Sequence, residues 1–394
     1  MWLEFKQVAR QIKATYSQEN WIKDDQRFFI SCALDFEPIL AQEIQFWLKK
    51  LAPKLKPDLS LWSGGIELSL PLGTGFLLNH CLKTANRILW RIEQFKCTHF
   101  VDFEKRLVQI PWNYFCGQDT PKFKVESHGS RLFHKKNLEQ SALQAFERYR
   151  AAQPARKKLP MQSPTIFIRF DQDQCTISVD TSGDHLHKRG YKTQTTAAPL
   201  RETLAAGLLL KMLNSCSPSP QSVNLVDPMC GSGTFLGEAY FLYKPLFFRP
   251  FAFDSFFICK QIPNFGKRIL KELEVPLSPF KNLVGIDLDP KSIKAAETNL
   301  ASIPETDLFN EDGLEYKLPH TEENLWLITN PPYNARLKRS PQTKNNEQLI
   351  EALRKNYQPS HMGLIVTSDS SQGKGVLSFK NSGIPVEFLM FSDK

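Results

Sequence analysis

A glycine-rich turn between a predicted strand and a predicted helix most strongly constrains the fold of this chain. The strand, residues 223–227, ends at Asp227, and the octapeptide Asp-Pro-Met-Cys-Gly-Ser-Gly-Thr then leads into a helical segment over residues 235–240. Glycines at the carboxyl end of a parallel strand let a ligand approach the backbone closely. The pattern therefore predicts an open, largely parallel sheet with a ligand site at the end of this strand.

A second motif follows another predicted strand. Residues 325–328 are apolar, and Asn330-Pro-Pro-Tyr333 ends this strand abruptly. The side-chain oxygen of Asn330 and the carbonyl oxygen of Pro331 can accept hydrogen bonds from an exocyclic amine, and the two prolines, Pro331 and Pro332, keep these acceptors rigid. Tyr333 can stack on a base that has flipped out of its helix. The motif therefore indicates methylation of a planar nitrogen by positioning and electrostatics.

The glycine turn does not match the usual phosphate-binding motifs. Leu236 stands where a dinucleotide fingerprint requires its third glycine, and no lysine follows the glycines as it does in a phosphate-binding loop. A cofactor without phosphates fits better, and S-adenosyl-L-methionine is such a cofactor. The other cofactor-binding candidates of the turn, besides Asp227, are Pro228, Met229, Cys230, Gly231, Gly233 and Thr234.

Acidic residues at neighbouring strand ends are candidates for the polar groups of this cofactor. Asp227 is placed to receive its ammonium group, and Asp287, which ends the next strand, is placed to receive the ribose hydroxyls. Asp312 is a candidate for the adenine amine. The alternative is an ordinary strand-end acid or a helix cap, and for Asp289 and Asp312 the two interpretations are equally open.

The second half of the chain alternates predicted strands and helices, which is typical of a doubly wound parallel sheet. A helix is predicted from Leu200 to Leu213. The predicted strands are 223–227, 283–287, 325–329 and 362–367, and a terminal hairpin is predicted over 376–379 and 386–391. An antiparallel hairpin at the end of a parallel sheet is characteristic of class I methyltransferases.

The first half is predicted to have mixed α/β structure. Strands are predicted over 27–33, 66–70, 123–125, 165–170 and 175–179. Helical patterns place apolar residues on one face over 40–51 and 138–149, and a further helical pattern runs from about 76 to 98.

Positive charge is concentrated in this first half. Residues 1–190 contain 28 lysines and arginines against 20 aspartates and glutamates, and the remainder contains 22 against 21. A basic half joined to a nearly neutral half suggests that one part binds a polyanion and the other performs chemistry, although a solvated lysine-rich surface is an equal alternative. The candidate RNA-binding residues are Lys135, Lys136, Arg156, Lys157 and Lys158.

The remaining composition predicts a cytoplasmic protein without a metal or a membrane span. The 8 cysteines are scattered, with no pair or cysteine–histidine cluster at the spacing of a zinc site, so they are expected to be reduced. The amino terminus lacks the apolar core of a signal peptide, and charged residues and prolines interrupt the aromatic segment 241–259. We expect a monomer.

Four segments together resemble the THUMP-containing guanine-N2 methyltransferases, and most closely the subgroup that acts on bacterial 23S rRNA. They are the glycine turn, Asn330-Pro-Pro-Tyr333, the segment 182–190 and the segment 201–206. The resemblance implies an amino-terminal ferredoxin-like region over 1–75, a THUMP RNA-binding domain over 76–182 and a Rossmann-like class I methyltransferase domain over 183–394. It also implies that Thr203 borders the cofactor pocket.

The sequence departs from this family in one residue and in its extent. Asn334 stands where related enzymes usually have glycine, and the sequence ends after the hairpin, whereas some relatives continue into a second methyltransferase domain. A single active site is therefore expected. A tRNA guanine-N2 methyltransferase is an alternative with the same fold, and an RNA-binding ribosome assembly factor that has lost catalysis is an alternative of another class. DNA adenine and protein glutamine methyltransferases also use Asn-Pro-Pro-Tyr, but neither explains the basic first half.

Overall fold

The computed structural model describes residues 25–116, 119–152, 163–196, 199–216, 222–260, 265–271, 273–304, 306–318, 324–332, 346–368 and 375–392. The chain divides into two compact units. The first unit comprises Met1–Cys32, Ile44–Leu186 and Arg249–Glu274, and the second comprises Ala33–Glu43, His187–Phe248 and Val275–Lys394.

In chain order the strands are β1 (Gln26–Ser31), β2 (Ser60–Trp62), β3 (Gly65–Leu70), β4 (Arg87–Lys96), β5 (Lys122–His128), β6 (Thr165–Asp171), β7 (Gln174–Asp180), β8 (Val223–Asp227), β9 (Phe280–Ile286), β10 (Thr306–Phe309), β11 (Leu325–Thr329), β12 (His361–Thr367), β13 (Leu377–Asn381) and β14 (Ile384–Ser392). The α-helices are α1 (Glu37–Leu51), α2 (Leu72–Cys81), α3 (Phe100–Val108), α4 (Lys135–Ala151), α5 (Glu202–Asn214), α6 (Thr234–Phe241), α7 (Phe257–Lys260), α8 (Phe265–Lys271), α9 (Pro290–Leu300) and α10 (Asn346–Tyr357).

The strands of the first unit form one sheet of seven strands in the order β2-β3-β1-β4-β7-β6-β5. All neighbouring pairs are antiparallel except β5 and β6, which are parallel. Strand β1 pairs with β4, so strands from both sides of the predicted domain boundary at residue 75 belong to the same sheet. The predicted ferredoxin-like region and THUMP domain therefore share one sheet, and the boundary between them stays a prediction.

The predicted helix over 76–98 is wrong in its second half. Helix α2 ends at Cys81, Leu82 has an extended backbone, and β4 begins at Arg87. Within β4, Ile88 and Trp90 are buried, whereas Arg87 and Arg91 remain partly accessible to solvent. This period of two residues is that of a strand with one buried face.

Aromatic rings from a later segment of the chain form part of the core of the first unit. The ring of Phe253, in the 3-10 helix Ala252–Ser255, stacks on Phe76 of α2 with 5.2 Å between ring centroids. Phe256 contacts Phe76 as well, and also Phe115. All these rings are fully or almost fully buried. The segment 249–274 thus contributes core residues to a unit whose other segments precede it by more than sixty residues in sequence.

The strands of the second unit form a sheet in the order β10-β9-β8-β11-β12-β14-β13. The first five are mutually parallel, and β14 runs antiparallel to both β12 and β13. This topology confirms the predicted parallel sheet with a terminal hairpin. The sequence prediction missed β10, and it started β9 three residues late, at 283 instead of 280.

Apolar residues of the parallel strands form the core of the second unit, as the sequence predicts for strands that are covered on both faces. Val226, Ile286 and Leu327 of the central strands are buried together with Leu349 and Leu353 of α10. Ligand-binding or catalytic side chains of this sheet are therefore expected at the polar ends of its strands.

The described residues include no helix that is both long and apolar enough to cross a membrane. All eight cysteines have free thiols. Within the described ranges no group of three histidine, cysteine or acidic side chains is arranged to hold a metal ion.

Candidate active site

The strand order of the second unit brings three polar residues to one edge of its sheet. Strand β8 lies between β9 and β11 and is parallel to both of them. Asp227 ends β8, Asp287 directly follows β9, and Asn330 directly follows β11. Because the carboxyl ends of parallel strands meet at the same edge, these side chains form one candidate site.

The glycine turn begins at the end of β8 and is anchored to the end of β9. Gly231 and Gly233 both have left-handed backbone conformations, with φ of 55° and 79°. A Cβ atom at Gly233 would lie 2.7 Å from a methyl carbon of Leu300, so this position requires glycine. The amide of Cys230 donates to the carbonyl of Ile286 at 2.9 Å. The turn is therefore a rigid wall of the site.

The Asp287 carboxylate has a structural role in this wall. One oxygen accepts the amide of Gly231 at 2.8 Å, and the other accepts the amide of Asp289 at 2.9 Å. Burial raises the pKa of Asp287, and these two hydrogen bonds oppose that effect. Each carboxylate oxygen has a second lone pair, so the group can still accept hydrogen bonds from two ribose hydroxyls.

The Asp227 carboxylate is almost completely buried, with an exposure of 2%. It accepts the amide of Met229 at 3.2 Å. Burial raises the pKa of Asp227 to about 7, and the nearby negative charge of Asp287 adds to the rise. No lysine or arginine among the described residues forms an ion pair with it. A buried carboxylate without a cation is costly unless a ligand supplies one, and the ammonium group of S-adenosyl-L-methionine fits this requirement.

Asp289 and Asp312 both have local backbone partners. Asp289 caps α9 by accepting the amide of Lys291 at 3.0 Å, which supports its interpretation as a helix cap. Asp312 accepts the amide of Leu314 at 2.9 Å. Its turn lies against the glycine turn, because a Cβ atom at Gly313 would lie only 1.9 Å from the carbonyl oxygen of Pro228. Asp312 is thus near the site, and its contact with adenine stays a prediction.

A buried oxygen atom directly after β11, Oδ1 of Asn330, has no hydrogen-bond partner among the described residues. The hydroxyl of the preceding residue, Thr329, is buried as well. Its interaction with the Asp227 carboxyl lowers the pKa of Asp227 against the effect of burial. A buried polar atom without a partner costs about 1–3 kcal/mol, so a ligand that supplies hydrogen bonds is expected at this position.

The sequence analysis missed Thr329 and the polar residues that hold the site together. Asn299 of α9 is buried. Its side-chain oxygen accepts hydrogen bonds from the amides of Thr193 and Gln194, both at 2.9 Å. Its side-chain nitrogen donates to the carbonyls of Gln194 and Ser232. Thr329 could have been noticed as the one polar residue of the strand Leu-Trp-Leu-Ile-Thr. Asn299 has no comparable local signal, because its partners lie 67 to 106 residues away.

A buried lysine joins the start of α5 to the glycine turn. The ammonium of Lys192 donates to Thr234 Oγ1 at 2.7 Å and pairs with Glu202 at 3.3 Å. Thr203 follows Glu202 in α5 and is buried as well. This link supports the implied position of Thr203 beside the cofactor pocket, which stays a prediction.

The remaining predicted site residues lie directly after Asn330, in the first unit, or outside the described residues. Pro331 is buried and Pro332 half-buried, both directly after Asn330. Lys135 and Lys136 are exposed at the start of α4 in the first unit. The other candidates lie outside the described residues: Tyr333, Arg156, Lys157 and Lys158, together with the variant position Asn334.

Comparison with solved structures shows the fold. The crystal structure of a possible methylase from Clostridium difficile 630 is 25% identical in sequence, with a TM-score of 0.75, and the match covers 94% of this chain and 99% of that one. The structure of SMU.472 complexed with SAH is 21% identical, has a TM-score of 0.73, and matches over 94% of this chain and 99% of its own.

Comparison with sequences identifies the domain that contains the site. The ribosomal RNA large subunit methyltransferase K/L of Syntrophotalea carbinolica is 29% identical over 327 residues, which cover 79% of this chain and 45% of the relative. The chain thus spans less than half the length of this relative. The model of the UPF0020 family, described as an RMKL-like methyltransferase domain, matches residues 189–383, a range that contains Asp227, Asp287 and Asn330. This match confirms the expected methyltransferase domain over these residues.

Proposed function

We propose that this protein is an S-adenosyl-L-methionine-dependent RNA methyltransferase that modifies the N2 amine of a guanine, with 23S rRNA as its substrate. The observation that carries the proposal is the buried oxygen of Asn330, which has no partner among the described residues and lies at the edge of the sheet that contains the glycine turn. The methyltransferase domain and the activity named for the K/L relatives support it.

The cofactor supplies an electrophilic methyl group, and the protein's own residues orient it. The Asp227 carboxylate holds the ammonium end, because this buried acid lacks a cationic partner among the described residues. Gly231 and Gly233 give the turn the left-handed backbone conformation that lets it line the cofactor site. Asp287 accepts the ribose hydroxyls while it also holds the Gly231 amide, so it fixes the ribose and the turn in one geometry.

The target nitrogen is activated by hydrogen bonding. The lone pair of a guanine N2 amine is delocalised into the ring and is a weak nucleophile. Hydrogen bonds from its two N–H groups to Asn330 Oδ1 and the Pro331 carbonyl favour a pyramidal nitrogen whose lone pair points at the methyl group. Both acceptors are fixed before the substrate arrives, so they need no reorganisation during the reaction. Stacking of the base on Tyr333 completes the proposed pocket.

The assignment of Asp287 predicts a loss of cofactor affinity in one variant. Asp287→Ala removes the ribose acceptors and the anchor of Gly231, so we expect the dissociation constant to rise about 10- to 100-fold, or about 1–3 kcal/mol. Isothermal titration calorimetry with S-adenosyl-L-methionine measures this change. Asp289→Ala is the matched control, because it removes a helix cap at the same edge and should lower thermal stability without changing affinity. Equal affinities of wild type and Asp287→Ala would contradict the assignment.

RNA binding is assigned to the basic residues of the first half. Replacing Lys135, Lys136, Arg156, Lys157 and Lys158 with glutamine should weaken RNA binding. It should also reduce the slope of log K against log salt by about 0.7–0.9 for each phosphate that is no longer neutralised. Filter binding at several salt concentrations measures this slope. Cofactor affinity should stay unchanged. An unaltered slope would show that these side chains are only solvated surface.

The choice of substrate is tested in cells. Mass spectrometry of rRNA and tRNA from a strain that lacks the protein should show the loss of one N2-methylguanosine from 23S rRNA. If the lost nucleotide belongs to a tRNA, the chain is a tRNA methyltransferase with the same chemistry. If no methylated nucleotide is lost and the purified protein transfers no methyl group, the alternative of an inactive assembly factor is correct.

A further inference from the structure

The loop between β5 and α4 in the first unit holds an aromatic ring in solvent. Phe133 is 59% exposed, although phenylalanine is among the residues most often buried. Its ring lies 4.1 Å from the ring of His134, centroid to centroid, at an interplanar angle of 37°. The two side chains thus form an exposed aromatic pair.

Hydrogen bonds fix the backbone of this loop. The amide of Arg131 donates to a carboxylate oxygen of Asp173 at 2.7 Å, and the Ser127 hydroxyl donates to the carbonyl of Leu132 at 2.7 Å. The Leu132 side chain is buried, with 5% exposure. Since the residues that precede it are tied down, Phe133 is presented to solvent by a preorganised loop, and a ligand would lose little entropy in ordering it.

The surroundings of the aromatic pair are basic. The ten residues from Gly129 to Leu138 include Arg131, Lys135 and Lys136 but no aspartate or glutamate. These three cations are exposed, and Arg131 also forms an ion pair with Asp173 at 3.9 Å. Exposed aromatic rings among cations are the combination that binds single-stranded nucleic acids, because bases stack on the rings while phosphates meet the cations.

We propose that Phe133, together with His134, is a stacking platform for an unpaired base of the RNA substrate, separate from the guanine that is methylated. The inference rests on the proposed RNA methyltransferase function. A membrane surface fits the loop less well, because the apolar residues of α4 that follow it, Leu138, Ala142, Ala145 and Phe146, are buried in the first unit. They leave no apolar helix face for a bilayer.

The test compares stacking with electrostatics. A single-stranded oligoribonucleotide that contains 2-aminopurine is titrated with wild type, Phe133→Ala and Phe133→Trp, and a blunt duplex of the same sequence serves as the second probe. Phe133→Ala should weaken binding of the single strand about tenfold, abolish the quenching of 2-aminopurine and leave the salt slope unchanged. Phe133→Trp should restore both affinity and quenching. Binding of the duplex should be the same for all three proteins.

Trp62→Ala is the matched control, because Trp62 is equally exposed, at 61%, in the same unit but between residues without charge, Leu61 and Ser63. It should bind both probes as the wild type does. Wild-type affinity of Phe133→Ala for the single strand, or an equal loss for single strand and duplex, would overturn the proposal while leaving the methyltransferase assignment intact. Failure of the wild type to bind either RNA would instead overturn the proposed function. Loss of binding to anionic phospholipid vesicles in Phe133→Ala, with RNA binding unchanged, would make the ring a membrane contact.

Discussion

Replacing Asn330 with alanine is expected to reduce the rate of methyl transfer about 100- to 1,000-fold, the usual cost of removing one preorganised hydrogen-bonding group from an active site. The reason is that Oδ1 of Asn330, a buried acceptor with no described partner, interacts with the target amine as it attacks. Single-turnover transfer of a radiolabelled methyl group to RNA measures the rate. Cofactor affinity and thermal stability should not fall, because this oxygen accepts no hydrogen bond from the described residues of the free protein.

Asn282→Ala provides the matched control for this experiment. Asn282 belongs to the same sheet but is exposed near the start of β9, where it donates to the Asn224 side chain at 2.9 Å. Its replacement should change the transfer rate less than about twofold, since surface substitutions are usually worth less than about 0.5 kcal/mol. Full turnover by Asn330→Ala would show that this loop does not act on the nitrogen.

Asp227→Asn is expected to stabilise the free protein and to abolish its use of the cofactor. Burial raises the pKa of Asp227 from 3.8 to about 7, so the folded state binds this proton more tightly than the unfolded state does. The resulting stabilisation is fully present below pH 4 and is lost as the pH rises through about 7, by roughly 4 kcal/mol in total. The variant should therefore melt at a higher temperature than the wild type at pH 8 and at nearly the same temperature at pH 4.

The same group sets the pH dependence of cofactor binding. Below pH 7 the free protein holds a proton on Asp227, which must leave before the carboxylate can pair with an ammonium ion. Affinity of the wild type should thus rise with pH, by at most about tenfold per unit, and level off above about pH 7. Calorimetry in buffers of different ionisation enthalpy should show that a proton is released near pH 6. A variant Asp227→Asn that melts at a lower temperature at pH 8, or that binds the cofactor normally, would contradict this role.

The sequence predicted those site residues whose role can be recognised from their immediate neighbours in the chain. The glycines at 231 and 233 and the acids at 227 and 287 follow directly from strand ends and turn chemistry. Thr329 and Asn299 could not be assigned in this way, because their role depends on neighbours that only the folded chain supplies. Asn299 meets its partners across 67 to 106 residues of sequence, a distance at which no periodicity carries information.

The difference between local and long-range signals also explains the errors in the predicted secondary structure. Leu78, Leu82, Leu89 and Ile92 fit a helical spacing although a strand begins at Arg87, and only the alternation of buried and half-exposed residues within β4 distinguishes the two. Strand β10 has four residues, none of them fully buried, at the edge of its sheet. Its apolar signal is therefore too short and too weak to be recognised without its partner β9.

The path of the chain between the two units has a consequence for its synthesis. The first unit needs the segment up to Glu274, where Phe253 and Phe256 complete the aromatic packing around Phe76. Strand β8 and the glycine turn leave the ribosome before that segment does. The amino-terminal unit therefore cannot complete its core until this part of the second unit has been synthesised, although domains usually fold in order from the amino terminus during translation. A nascent chain stalled just before residue 249 would expose an incomplete aromatic core, and this exposed apolar surface is what a chaperone binds.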